Sequence, residues 1–135
     1  MKKLFSIAIV CCLFAMTGIF SSCTKEDGDW IFSVQLDPSN ETPGDQNSYE
    51  AFINPIMTEA MKADADRYQE PSNTFIFRGE KSKALKRAEN AFDKGVSQVK
   101  GSNSGNMIAG TGIKINLCRS NRDTNQDEVV RSYTF

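Results

Sequence analysis

The densest array of oxygen side chains in the sequence is Asn121-x-Asp123-x-Asn125-x-Asp127. A hard cation such as Ca²⁺ needs several oxygens converging on one point, and alternate positions in a tight loop supply them. Counted from Asp123, the spacing matches the first three ligands of a calcium loop, and Val130 stands where such loops place an apolar residue. The match then ends. Glu128 takes the place of the glycine that makes the sharp turn, and Thr134 that of the closing bidentate carboxylate. The flanks alternate like strands, and Asn, Asp and Ser are ordinary hairpin residues. We therefore read 120–127 as a polar hairpin loop and assign no metal.

The other arrangements are thinner. Ser97-x-x-Lys100 has the spacing of a serine–lysine nucleophile, which needs an adjacent base and an oxyanion hole. Here it falls at the end of a helix with no accompanying motif. Asp37, Glu41, Asp64 and Asp66 are the carboxylates from which a glycoside-hydrolysing pair would be drawn, but they fall in a loop or on a helix surface. The glycines of 101–112 are not followed by the Gly-Lys-Ser/Thr of a phosphate cradle, and Asn103 stands where a nucleophile elbow needs serine. We read that stretch as a flexible connection. The chain has no histidine, which removes the commonest general base and the commonest metal ligand. Cys118 without histidine reads as a half-buried apolar residue rather than a nucleophile. We expect no catalytic residue and no cofactor.

Chemistry of another kind stands at the start of the chain. Lys2 and Lys3 precede an apolar run from Leu4 to Phe20, and Ser21 and Ser22 then lead to Cys23. This is the layout of a secretory signal peptide. Phe20-Ser21-Ser22-Cys23 resembles the lipobox of bacterial lipoproteins, with Phe20 bulkier than the usual leucine. The resemblance implies cleavage before Cys23 and a thioether from its thiol to diacylglycerol. Cys11 and Cys12 lie inside the apolar run without a small pair before them. The stretch Thr24-Lys25-Glu26-Asp27-Gly28-Asp29 resembles the acidic export signal of Bacteroidota surface lipoproteins. It implies an outer-membrane protein facing the cell exterior; a periplasm-facing anchor is the alternative. Each buried CH₂ of an acyl chain contributes ~0.8 kcal/mol, so two or three chains on one residue anchor stably.

On this reading 1–22 is the signal peptide, 23–29 the lipidated cysteine with an acidic tether, and 30–135 one domain. The 113 residues left after cleavage suffice for one core. Only Cys118 remains besides Cys23, so that domain has no internal disulfide and must hold by its core alone. Charge is unevenly placed: eleven acids against three bases over 24–70, then six acids against eleven bases over 71–135. Opposite halves attract within one monomer and also offer faces of opposite sign. No basic run with interleaved aromatics marks a nucleic-acid binder.

Periodicity gives the elements that would position any site. Trp30, Phe32, Val34 and Leu36 alternate with Ile31, Ser33 and Gln35, a strand with one apolar face. Residues 37–48 read as a turn-rich loop. Phe52, Ile53, Ile56, Met57, Ala60 and Met61 form a helical stripe within 49–68, with Tyr68 extending it. Asn54-Pro55 suits an N-cap with proline at the first helical position; the alternative starts at Ser48 and tolerates a kink. Thr74–Arg78 is a second strand. Residues 80–99 form a second amphipathic helix, with Gly95 costing stability in its last turns. Ile113–Arg119 is a third strand. Glu128–Phe135 is the last, with Val129, Arg131, Tyr133 and Phe135 on one face.

The order β-α-β-α-β-β predicts an α+β two-layer sandwich: a four-stranded mixed sheet with two helices on one face. The other face would bear Ile31, Phe75 or Phe77 according to register. These readings together point to a lipid-anchored, non-enzymatic envelope protein that contacts the membrane through the lipid on Cys23 and binds a glycan or protein ligand. A small carboxylate-dependent envelope hydrolase and a purely structural envelope component are the alternatives. Replacing Cys23 by alanine is expected to abolish incorporation of labelled palmitate and release the protein from the detergent phase.

Overall fold

The computed structural model describes residues 27–121 and 124–135. Residues 1–26, which hold the expected signal peptide, Cys23 and the start of the expected tether, lie outside the described residues, as do Arg122 and Asp123. Ten-residue β1 runs Asp27–Leu36; α1 is Pro43–Ser48, α2 Asn54–Asp64, β2 Arg67–Gln69 and β3 Thr74–Glu80. Then come α3 Lys81–Lys100, a single turn α4 Gly105–Ile108, β4 Lys114–Asn121 and β5 Gln126–Thr134. The chain is α+β, and its five strands form one open antiparallel sheet in the order β2-β3-β1-β4-β5. Contacts group residues 27–29 with Arg78–Ala84, and Trp30–Phe77 with Leu85–Phe135. In the first group Arg78 pairs with Asp29 at 3.2 Å, and Ser82 donates to Glu80.

The expected mixed, four-stranded sheet is corrected on two points. The sheet is antiparallel throughout and has a fifth strand. The added strand is β2, where the sequence suggested the end of a helix. The backbone leaves the helical region at Ala65 (ψ 149°), and Tyr68 pairs with Phe75 instead of extending the helical stripe. Asn73 closes the β2–β3 turn at φ 51°, a left-handed conformation that asparagine tolerates better than most residues.

The first helical stretch also begins earlier than its apolar stripe implies. Thr42 caps it: its hydroxyl accepts the Asp45 N–H at 3.1 Å, and Pro43 occupies the first turn. The chain then stays helical across Asn54-Pro55 through a π-helical turn, Tyr49–Ile53, in which the Asn54 N–H reaches the Tyr49 carbonyl. Proline has no N–H and crowds the carbonyl four residues back, so widening one turn lets the helix pass it without breaking. The glycine-rich stretch after α3 is held in place as well. Gly101 N–H donates to the Ser97 carbonyl, Ser102 Oγ to the Val99 carbonyl at 2.7 Å, and α4 buries Ile108.

Strand parity and the helices define the core. Phe32, Val34, Phe75, Phe77, Ile115 and Leu117 are buried, as are Ile53, Met57, Ala60 and Met61 from the first helical stretch and Ala88, Phe92, Val96 and Val99 from α3. Phe32 and Phe77 meet edge to face at 5.5 Å, and the Arg87 guanidinium from α3 lies over the Phe77 ring. Phe75 and Phe77 thus belong to the covered face, and Ile76, between them, to the other. Each fully buried Phe contributes about 1.5–3 kcal/mol. Arg131 reaches Asp93 of α3 through two hydrogen bonds of 2.7 and 2.8 Å; with both side chains nearly half exposed, this pair contributes about 0.2–1 kcal/mol.

Gly95 is where α2 and α3 meet. A Cβ there would lie 2.7 Å from Met57 Sδ and 3.2 Å from Ala60 Cβ. The residue that lowers helix propensity is the one that lets the two helices approach. Gly95→Leu is expected to destabilise the full-length protein by about 2 kcal/mol or more, read by chemical denaturation.

Candidate functional site

The face of the sheet away from the helices is built by register. Gln35 stands opposite Asn116, and Ser33 opposite Cys118; on the far side Asn116 pairs with Ser132 and Ser120 with Asp127. Directly opposed residues share a face, so Ser33, Gln35, Lys114, Asn116, Cys118, Ser120, Asp127 and Ser132 all project together. Between Leu117↔Arg131 and Cys118↔Val129 the β5 strand carries one extra residue, Val130. Such a bulge flips every side chain beyond it. Val129 therefore parts from Arg131 and Tyr133, contrary to the alternation in the sequence, and joins the open face, 53% exposed.

These polar groups are linked across the strands. The Gln35 amide donates to Ser33 Oγ at 3.0 Å and to Asp127 Oδ2 at 2.8 Å, while Ser120 Oγ donates to Asp127 Oδ1 at 3.2 Å. In a second chain, Ser132 Oγ donates to Asn116 Oδ1 at 2.7 Å, and Asn116 Nδ2 donates to Asp37 Oδ2 at 2.8 Å. Asn116 is buried with both ends of its amide partnered, the condition under which a polar group survives burial at little cost. Asp37 also accepts the Ser39 hydroxyl (2.6 Å) and Ser39 N–H (2.9 Å), and Lys114 Nζ stands 3.7 Å away. The Ser39 hydroxyl, then Asn116 and the Ser39 N–H, hold the Asp37 carboxyl well below the usual carboxylate range, with Lys114 adding to the shift. Asn40 ties the same loop to the sheet by accepting the Lys114 N–H at 2.9 Å.

The arrangements singled out in the sequence fare differently. Asp127 turns both carboxylate oxygens onto Gln35 and Ser120, Asn125 sits at φ 54° in the hairpin, and Asp123 lies outside the described residues. Among the described residues no cluster of three Asp, Glu, Cys or His side chains forms a metal site. Ser97 and Lys100 are both exposed on α3, and no hydrogen bond joins them. Asp64 pairs with Lys94 at 3.4 Å and Asp66 with Arg87 at 3.2 Å, so these two carboxylates serve to hold α2 and its exit to α3. Glu41 is exposed in the loop before α1. Cys118 is buried, and burial pushes its thiol up to about 11, with Asp127 and Asp37 adding to it. A thiol that holds its proton is a poor nucleophile.

A second feature lies at the end of β1. A cleft of about 360 Å³ opens between Ser33–Leu36, the π-helical turn and the β2–β3 turn. Tyr49 forms its inner wall and donates its hydroxyl to the Val34 carbonyl at 3.1 Å; burial pushes that phenol up to about 12. Sequence reasoning missed this cleft, since it depends on the hairpin turn that places Asn73 beside β1. The T-P-G-D start of α1 was the one local signal that the helix reaches back toward it. Among the described residues no helix is long and apolar enough to cross a membrane. No protein-family model matches the chain, and no curated protein or solved structure is significantly similar to it.

Asp37 ties acid stability to this network. Its folded carboxyl titrates below its unfolded value, so its contribution is complete above about pH 5 and is lost as pH falls through the folded pKa. Thermal melts of the wild type are expected to drop steeply below about pH 4. Asp37→Asn is expected to melt lower at neutral pH and to show a flatter acid limb.

Proposed function

We propose that this chain is a lipid-anchored protein of the outer membrane, displayed toward the cell exterior, that works by binding rather than by catalysis. The observation that supports binding is the polar network on the sheet face opposite the helices. Its polar side chains are braced against one another by hydrogen bonds across the strands, Gln35 to Asp127 in one chain and Ser132 to Asn116 to Asp37 in another. Such a surface is preorganised: ordering entropy has been spent in folding, and less is lost when a partner docks. Val129 adds an apolar point among groups that donate and accept. The partner is a glycan or a protein of the envelope or its surroundings, and nucleic acid is excluded by the lack of a basic patch with aromatics.

Catalysis is disfavoured by the same groups. Asp37 is kept ionised by its donors and is no general acid at neutral pH; Asp64 and Asp66 are neutralised by Lys94 and Arg87. Membrane attachment rests on Phe20-Ser21-Ser22-Cys23.

Protease shaving of intact cells tests the display. With a C-terminal tag on the full chain, the tag is expected to disappear from intact cells, while a Cys23→Ala chain loses its acyl label. A tag that survives until the outer membrane is opened would place the domain in the periplasm and overturn surface binding.

A further inference from the structure

The cleft at the end of β1 has a chemistry of its own. Its lining carries one formal charge, Glu50, and the carboxamides of Gln46, Asn54, Asn73 and Gln35, the last with its N–H₂ already donated to Ser33 and Asp127. The Glu50 and Gln46 side chains form no hydrogen bond or ion pair among the described residues. Asn54 Oδ1 accepts from Thr58 and Asn73 Oδ1 from Tyr68, which leaves both amide N–H₂ groups as donors without a described acceptor.

That set selects by elimination. An anion meets Glu50 and no cation. A cation finds one carboxylate and no second. An apolar ligand leaves the amides unpaired, at about 1–3 kcal/mol for each buried polar group. An extended peptide laid along the end of β1 finds the Val34 carbonyl already taken by the Tyr49 hydroxyl. A sugar fits, because a hydroxyl can donate to a carboxylate such as Glu50 and accept from an amide such as those of Asn54 and Asn73. The volume of about 360 Å³ is at the low end for ligand sites and holds one or two rings. The wall that presents Glu50 is the π-helical turn Tyr49–Ile53, which carries the helix past Pro55 and in doing so sets the Glu50 side chain at the rim.

We infer that the cleft bounded by Val34, Leu36, Glu50, Asn54 and Asn73 is a binding site for a neutral, hydroxyl-rich ligand, a sugar unit of a glycan. The inference rests on the binding function proposed above and names its ligand class, but it does not depend on which side of the membrane the domain faces.

The test is amide chemical-shift mapping of the full-length protein in detergent. The sugars are glucose, galactose, mannose, fucose, N-acetylglucosamine, N-acetylgalactosamine and lactose, each at millimolar concentration. At least one is expected to shift the amides of Val34, Leu36, Glu50 and Asn54 saturably. Glu50→Ala is expected to weaken that binding roughly tenfold with an unchanged melting midpoint, since Glu50 is exposed and unengaged. Asn73→Gly, which keeps the left-handed backbone, is expected to weaken it as well. No shift with any sugar overturns the inference. So do shifts centred on Asn116 and Ser132, or binding indifferent to both variants. Surface display fails separately, by the shaving experiment, so the two readings fall to different results.

Discussion

Two helical stretches have to share one face of a five-stranded sheet, and the space at Gly95 decides how closely they lie. With Met57 Sδ and Ala60 Cβ filling the place where a side chain would be, α2 and α3 pack backbone against side chain. That approach lets both helices bring their apolar stripes down onto Phe32, Val34, Phe75, Phe77, Ile115 and Leu117. No disulfide is available among the described residues, where Cys118 is the one free cysteine. Stability therefore comes chiefly from this apolar layer, with the Asp37 network adding to it and the exposed ion pairs at its border contributing only small increments.

Because the helices take one face, the polar side chains fall on the other, and those buried there, Asn116 above all, need partners. The structure meets this with hydrogen bonds that run across the strands. Asn116 is the buried link: Ser132 donates to one end of its amide and its other end donates to Asp37. Asp37 stays charged because every group around it donates or is cationic. A face braced in this way keeps its side chains in one arrangement, which is what a recognition surface needs and a merely solvated surface does not. The cleft beside it lies where Ser33–Leu36, the π-helical turn and the β2–β3 turn meet, and there the Tyr49 hydroxyl takes up the Val34 carbonyl.

Much of this was legible in the residues. The alternation Trp30-Phe32-Val34-Leu36 placed Phe32 and Val34 inside, and the stripe Ala88-Phe92-Val96-Val99 placed α3 on the core. The candidate site was far less so. Asp37 and Asn116 are seventy-nine positions apart, and nothing local to either announces the bond between them. Asp127 looked like part of a cation loop because its neighbours are oxygen-rich; only the register of β5 on β4 turns it toward Gln35.

What the sequence determined by itself is what local chemistry controls: which stretches repeat at two residues and which at three to four, and the motif that ends in Cys23. What the tertiary structure decided is pairing. The antiparallel sense of the sheet, the strand Arg67–Gln69, and the bulge that moves Val129 to the open face all depend on partners distant in the chain. A side chain's face follows from its own parity only until one extra residue enters the strand. The presence of that residue is settled by which register buries Ile115 and Leu117 against the helices, a quantity no local window contains.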